Sequence, residues 1–309
     1  MQVDVAFGGQ VCITPMFHDF PAPVPMIGLI AHSEKPAAAS VVAAVIAELD
    51  RYGMPYLLER STAPLVGKSS SHDESDLAAE CRLLVVMGGD GTILRAAEIT
   101  LSRTVPLLGI NMGHVGFLAE VQRPTISAIA ESIISKSYVS EDRMILRFSV
   151  ERSGKEIGKG WALNEVTVER DGTTMVELFV EIDNRPLSHW GCDGLICSTP
   201  TGSTAYAFSA GGPVLWPEVD ALVLLPISAH ALFSRPMVVS PKSEIVVTIE
   251  SMDALLSADA LRKIPLHKGD RVLITRDSQT IKLSHVSKTL FTDRLVAKFK
   301  LPVEGWRGE

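Results

Sequence analysis

The sequence predicts an α/β N-terminal domain followed by a mostly β C-terminal domain, and three observations predict it. Short apolar runs alternate with helix-period segments as far as about Pro124, the pattern of a parallel sheet with helices on both faces. From Glu141 onward one strand pattern follows another, punctuated by turn signals such as Ser153-Gly154 and Asp183-Asn184. A length of 309 residues, with 46% hydrophobic and 21% charged content, suits two globular domains better than one.

The organisation divides into residues 1–25, 26–124, 125–285 and 286–309. In the first segment, Phe20-Pro21-Ala22-Pro23-Val24-Pro25 cannot hold a regular element, because its prolines remove donors and fix φ. It reads as an extension without regular structure. Met26 heads a clean strand pattern, Met26-Ile27-Gly28-Leu29-Ile30-Ala31, so it marks an alternative translation start or the end of a dispensable extension. A chain truncated to begin at Met26 is expected to keep its folding and activity, which melting and turnover of the truncated protein would check.

Next, Ala37 to Tyr52 reads as a helix with Val41, Val42, Val45, Ile46 and Leu49 on one face, stopped by Gly53. Pro55 to Glu59 is a short strand, and 67–73 is a polar loop. Gly67-Lys68-Ser69 looks like the end of a Walker A loop, but the position of that motif's first glycine is Thr62 and no strand leads in, so it is rejected. Leu83 to Met87 is a buried-type strand, Thr92 to Leu101 a helix, Pro106 to Ile110 another buried strand, and Thr125 to Lys136 a bridging helix. Strands follow at Met144 to Val150, Trp161 to Glu169, Val176 to Ile182 and Val239 to Glu250. The tail, Phe291 to Lys300, carries a short basic helix pattern with Leu295, Val296 and Phe299 on one side, expected to pack back on the first domain.

The bulk properties exclude several classes of function. A net charge of −7 argues against a protein built to grip nucleic acid, though not against a local basic pocket for a phosphorylated ligand. Cys12, Cys81, Cys192 and Cys197 show no C-x-x-C spacing, so no zinc site is supported and buried free thiols in a reducing compartment are expected. No apolar run is long enough to span a bilayer, and the first Lys or Arg is Lys35, so no basic signal-peptide region precedes it. These features predict a cytoplasmic protein with no membrane or nucleic-acid partner.

The strand ending at Met87 runs into Gly88-Gly89-Asp90-Gly91-Thr92 and then a helix, which is a phosphate-site geometry. Glycines admit a close ligand and φ > 0, and a helix start offers unpaired N–H groups and the positive end of the dipole. Gly88, Gly89, Gly91 and Thr92 are therefore candidate phosphate contacts. Asp90 would repel an anion, so it fits a base or hydroxyl-orienting group beside the phosphate, or a magnesium ligand; the plainer alternative is a helix cap. Arg95, about one turn along the helix, would reach a phosphate over the loop, or else is a solvated helix arginine. In Asn111-Met112-Gly113-His114-Val115-Gly116-Phe117-Leu118, Phe117 offers either a stacking face or a core ring. Asn164 and Glu165 are poor strand formers at the start of a strand and suit a ribose diol or an adenine edge. The stretch from Asp193 through Ser198-Thr199-Pro200-Thr201-Gly202-Ser203-Thr204-Ala205-Tyr206 to Ser209-Ala210-Gly211-Gly212-Pro213 is dense in small hydroxyl residues and glycines, the composition of a ligand-lining loop.

The Gly-Gly-Asp-Gly-Thr string resembles the signature shared by NAD kinases, diacylglycerol and sphingosine kinases and 6-phosphofructokinases. With 111–118, Asn164-Glu165, Asp193-Gly194, 198–206, 209–213, Pro226 to Leu232 and Arg235-Pro236, the chain from about Ile27 to Gly308 resembles the NAD kinases of bacterial type. The resemblance implies a Rossmann-like parallel sheet in the α/β domain, as in the superfamily of diacylglycerol kinases and phosphofructokinases. It implies transfer of the γ-phosphoryl of ATP, or of polyphosphate, to the 2′-hydroxyl of the adenosine ribose of NAD, giving NADP. Asp90 would be the proton acceptor, with the Gly91 backbone beside the substrate. Arg95, Phe117, Asn164, Glu165, Asp193, Thr204, Ala205, Tyr206, Ala207, Phe208 and Ser209 would contact NAD. A divalent metal, normally Mg2+, would be carried by ATP, with no protein ligand assigned, and the protein would be a homodimer or homotetramer.

Two departures stand out. Leu261 occupies a position where some bacterial members place a Gln that touches NAD, so that contact is absent or supplied by Arg262. Gly191 stands where many members carry a basic residue. The rival readings are a diacylglycerol-type lipid kinase and a dinucleotide sensor without turnover. The Thr-Pro-Thr-Gly-Ser-Thr string speaks against the first, and retention of Asp90 against the second.

Overall fold

The computed structural model describes residues 26–35, 37–69, 72–112, 116–119, 125–251, 253–287 and 290–303. The extension 1–25 with Cys12, residues 113–115 of the glycine-rich segment and the expected domain boundary near 124 lie outside the described residues.

Strands β1 (Met26–Ala31), β2 (Tyr56–Leu58), β3 (Cys81–Gly88) and β4 (Leu107–Asn111) are parallel, in the order β2-β1-β3-β4. Helices α1 (Ala38–Arg51), α2 (Glu74–Glu80), α3 (Asp90–Thr100) and α4 (Ile126–Ser135) cover both faces of this sheet. The apolar run of β3 explains how. Side chains alternate across a strand, so Leu84 and Val86 pack with α2 and α3 while Leu83, Val85 and Met87 pack with α1 and α4. Helix α2 was not expected from the sequence. It starts at a capping box in which Asp73 accepts from the Asp76 backbone N–H and Asp76 reaches back to the Asp73 N–H. Helix α3 begins at Asp90, two residues before the expected start, with Gly89 as its cap.

The second half forms strands β5 (Val139–Arg152), β6 (Lys155–Ala162), β7 (Glu165–Arg170), β8 (Val176–Ile182), β9 (Arg185–Cys192), β10 (Gly194–Ser198), β11 (Leu222–Ile227), β12 (Met237–Val239), β13 (Ile245–Ile249), β14 (Asp253–Ala258), β15 (Arg262–His267) and β16 (Arg271–His285). A short helix α5 (Tyr206–Ser209) and the C-terminal helix α6 (Phe291–Phe299) complete it. An antiparallel sheet runs β12-β11-β10-β7-β14-β15. The other strands extend the parallel sheet as β4-β16-β13-β8-β9, with β5 paired to β16 and β6 to β5. The two sheets enclose an apolar core that includes Phe148, Trp190, Leu178, Val168, Leu224 and Leu256.

Several sequence expectations change. The strand expected over Trp161 to Glu169 is broken at Leu163-Asn164, where three successive N–H groups turn to the carboxylate of Asp259. The expected strand from Val239 to Glu250 is two strands around a turn at 240–244. Residues 194–198, read as part of a loop, form the fully buried strand β10. Cys81, Cys192 and Cys197 are buried free thiols. On α6 Arg294 is the fully buried residue, while Leu295, Val296 and Phe299 of the expected apolar side are half-buried, with Phe299 packed on Phe117 and Phe208. None of the described helices is long and apolar enough to cross a membrane.

Trp190 is fully buried and donates its indole N–H to the Phe233 carbonyl at 3.1 Å. Trp190→Ala is expected to cost about 3–5 kcal/mol, read as a lower urea midpoint of unfolding.

Candidate active site

Asp90 sits at the first turn of α3 without capping it, because its side chain reaches across to another segment. Its Oδ2 accepts the Phe117 N–H at 3.0 Å and its Oδ1 the Leu118 N–H at 3.1 Å. A Cβ on Gly116 would overlap this carboxylate, so only glycine lets the segment come so close. The glycines of the loop itself work differently from expectation: Gly88, Gly89 and Gly91 have no positive φ. Gly88 ends the buried strand β3, whereas a side chain on Gly89 or Gly91 would meet open space, so the loop is bare backbone toward solvent.

That bare loop floors a cleft of about 420 Å³ lined by His32, Ser33, Glu34, Lys35, Gly89, Gly91, Thr92 and Arg95. It lies beyond the carboxyl ends of the neighbouring parallel strands β1 and β3, the usual place for a ligand in such a sheet. Arg95 is held at its wall, donating to the Ala31 carbonyl at 3.2 Å with the Glu59 carboxylate 4.0 Å away. Two cationic side chains and a helix start thus face one opening, a combination suited to a polyphosphate. Residues 32–35 were not singled out from the sequence. The signal was there, since a loop following a buried parallel strand is where a switch-point crevice opens.

A second cleft, about 310 Å³, is lined by Glu165, Thr167, Glu169, Arg170, Tyr206, Leu255, Ser257, Asp259, Ala260 and Lys263. Its shape is set by two interlocked turns. The Thr199 hydroxyl donates to the Leu163 carbonyl at 2.6 Å, and the Asn164 carbonyl accepts from the Thr199 N–H at 2.9 Å. A Cβ on Gly202 would overlap the Asn164 backbone, which fixes glycine there. Asp259, in a left-handed conformation with φ 51°, holds the other side by accepting N–H groups of Leu163, Asn164 and Glu165. Glu165 receives a backbone hydrogen bond from Tyr206, while its Oε2 is buried with no partner. Burial, with the Asp259 charge beside it, pushes the Glu165 carboxyl up from 4.5 to about 8. Burial likewise raises Asp259 to about 6, against the pull of its three N–H partners.

The remaining sequence candidates divide into exposed and buried groups. Tyr206 donates its hydroxyl to Glu169 at 3.2 Å, and Asp193 pairs with Arg170 at 2.9 Å. Arg170 is thus the basic partner of Asp193, while Gly191, where a basic residue is common, is bridged to His230. Thr204 bonds back to the Thr201 carbonyl, and Ala205 leads from that 3-10 turn into α5, which ends at Ser209. Ala207 is fully buried against Ile196, Val223 and Leu225, so its side chain serves the core. Phe117 is also buried; its ring packs on Phe291 at 5.9 Å and Phe299 at 5.7 Å, which favours the core-ring alternative. Phe208 stacks on Phe299 at 4.5 Å. Neither Leu261, which is exposed, nor Arg262 is among the residues lining the second cleft. The Arg262 guanidinium is engaged by Glu98 of α3, the Trp161 carbonyl and the Trp161 ring.

The two clefts are braced by the same elements. Asp90 and Glu98 lie on α3, separated by eight residues or about 12 Å of helix. Glu98 pairs with Arg262, three residues beyond Asp259. Phe299 of α6 meanwhile touches both Phe117, beside Asp90, and Phe208, at the end of α5.

The family model described as ATP-NAD kinase N-terminal domain matches residues 27–138, and the one described as ATP-NAD kinase C-terminal domain matches 163–286. The chain belongs to the NAD kinase family. It is 43% identical over 295 residues to the NAD kinase of Thermobifida fusca, covering 91% of this chain and 90% of that one. It is 49% identical over 232 residues to the NAD kinase of Mycobacterium tuberculosis, covering 74% and 76% of the two chains. Two solved NAD kinase-type structures share the fold. The yeast NADH kinase complexed with NADH superposes with a TM-score of 0.86 at 22% identity, over 94% of this chain and 91% of its own. An NAD kinase from Archaeoglobus fulgidus in complex with ATP superposes with a TM-score of 0.69 at 26% identity, over 89% and 99%. As an NAD kinase the chain is a phosphotransferase that takes ATP as donor.

The raised Glu165 carboxyl has a consequence for stability. The folded state holds that proton between pH 4.5 and about 8 while the unfolded chain has released it, so stability falls as pH rises through this window. Glu165→Gln removes the effect. Its melting temperature is expected to gain on wild type steadily from pH 5 to 8, and parallel melting curves across that range would contradict the assignment.

Proposed function

We propose that Asp90 is the proton acceptor for phosphoryl transfer to the 2′-hydroxyl of the adenosine ribose of NAD. The observation that carries this reading is the Asp90 carboxylate, held by two backbone N–H groups beside a bare glycine loop that floors a cationic cleft. A carboxylate has about four lone-pair sites. With one N–H on each oxygen, Asp90 retains capacity to accept the substrate hydroxyl. The O2′–Pγ bond forms, the bond from Pγ to the ADP oxygen breaks, and the hydroxyl proton passes to Asp90. In a loose transition state the base mainly orients the nucleophile and captures the proton late.

In this reading Gly89, Gly91, Thr92, Lys35 and Arg95 hold the phosphates through backbone N–H groups and two positive charges. Asn164, Glu165, Asp193, Thr204, Ala205, Tyr206, Phe208 and Ser209 face the dinucleotide. The unpartnered Glu165 Oε2 supports this, since a buried polar atom without a protein partner suits a ligand's polar edge. A magnesium ion, if bound, would supply neutralisation of the charge on the transferred phosphoryl group, with no protein ligand assigned to it. Among the described residues no group of three or more His, Cys, Asp or Glu could hold a metal ion, and the ion is proposed as one that arrives with the nucleotide. Inorganic polyphosphate is a candidate second donor, supported by a cleft lined by Lys35, Arg95 and glycine backbone. The protein works in the cytoplasm as a homodimer or homotetramer. The exposed Leu232 and Phe233 ahead of β12, and Val238 within it, support association.

Asp90→Asn is expected to bind NAD as wild type does and to lose turnover by two or more orders of magnitude (about 10²-fold or more for a lost acid–base group). Titration calorimetry with NAD and steady-state assays check both, and near-wild-type turnover would refute the role. A donor panel of ATP and inorganic polyphosphate in the same assay decides the donor range.

A further inference from the structure

The segment that fixes Asp90 is itself held from behind. Phe117 and Leu118 donate their N–H groups forward to Asp90. The carbonyls of Phe117 and Ala119 point the other way, to Arg294 of α6, whose Nη1 donates to them at 3.1 and 2.7 Å. We propose that Arg294 is a positioning residue for phosphoryl transfer: it holds the backbone of residues 117–119 so that two of its N–H groups fix the Asp90 carboxylate in its productive orientation. This rests on the reading of Asp90 as the proton acceptor.

Arg294 is 3% exposed, and a buried guanidinium persists only where its donors are satisfied. The two carbonyls take Nη1, and Nη2 lies 3.0 Å from His285 Nδ1. Arginine only donates, so Nδ1 accepts and the ring proton sits on Nε2, which donates to Glu141 at 2.9 Å. His285 closes β16 and pairs in register with Val139 of β5, so this chain of bonds ties the Asp90 clamp to the main sheet. The rings of Phe291 and Phe299 also pack on Phe117, at 5.9 and 5.7 Å, and hold the same segment through its side chain. A fixed planar fork suits this task, whereas a lysine ammonium is a single point donor on a flexible stem. These bonds of Arg294 act on 117–119, whereas Phe299 of the same helix also touches Phe208, so the test is made at Arg294 and not on α6 as a whole.

The test compares Arg294→Lys and Arg294→Ala with wild type in the full-length protein. In Arg294→Lys, kcat is expected to fall about 10–100-fold, while KM for NAD and for ATP stays within about threefold, because misplacing a base by a fraction of an ångström costs rate rather than binding. Hydrogen exchange at the Phe117 and Leu118 amides should speed up in the same variant. Arg294 also lines a cavity of about 380 Å³ with Arg143, Trp216, His285 and Phe291, through which a small cation can reach the vacated position. Millimolar guanidinium should therefore restore part of the turnover of Arg294→Ala. If that variant does not fold, Arg294→Lys still carries the kinetic and exchange readouts. Wild-type kcat in folded Arg294→Lys, a loss confined to KM, or unchanged exchange at 117–118 would each overturn the proposal. Wild-type turnover in Asp90→Asn would instead sink the role given to Asp90, while leaving the exchange result standing.

Discussion

The carboxylate of Asp90 is held by two backbone N–H groups from a segment distant in sequence, and much of the first half of the chain is arranged around that contact. Helix α3 must begin at Asp90 for the side chain to point across rather than back at its own cap. Gly116 must lack a side chain for the backbone to approach. The loop before it must be bare, so that whatever enters the cleft meets N–H groups and not methyl groups. A charge-bearing hydrogen bond to backbone is stronger than a neutral one, and a backbone donor cannot rotate away. The result is a carboxylate whose orientation is fixed before any ligand arrives.

The second cleft uses the same device with another acid. Asp259 gathers three consecutive N–H groups of Leu163, Asn164 and Glu165 and so breaks the long strand into β6 and β7. This break turns Glu165 inward beside Tyr206, where burial raises its carboxyl. In both places an aspartate accepts N–H groups of backbone remote in sequence, and a carboxyl beside a cleft is held in one orientation. Helix α3 and the Glu98–Arg262 pair then keep the two arrangements at a fixed spacing.

What was legible in the sequence follows from this. The glycine loop, its aspartate and the parallel strands around it are local patterns, carried by contiguous residues and strict apolar runs, and the α/β half was read nearly element by element. The family resemblance rested on such contiguous strings too. The clamps were not legible, because Asp259 and Arg294 act on backbone atoms 95 and 177 residues away, and backbone bears no sequence signal. The alternation of β16 is interrupted by the polar run Arg276-Asp277-Ser278-Gln279-Thr280, where its register shifts against β5, and β15 contains Pro265, which argues against a strand. Strand β11 could have been found, since Leu222 to Ile227 is an apolar run between turn-forming residues. Phe117 shows the converse: an aromatic beside the site invites a stacking role, yet three-dimensional neighbours 174 or more positions away bury it.

Strand β16 joins the parallel strands to the rest of the sheet, with Leu283 and Ser284 set beside Leu107 and Leu108 of β4. The half of the molecule that is synthesised first therefore leaves the ribosome with one flank of its sheet unpaired. That flank stays open until some 170 further residues have been made, which at about 5–20 residues per second is a wait of roughly ten to thirty seconds. An uncovered apolar strand edge is a template for pairing with another chain. The nascent enzyme is thus most vulnerable to aggregation in this interval, and the arrival of its last strand ends the hazard and completes the sheet in one step.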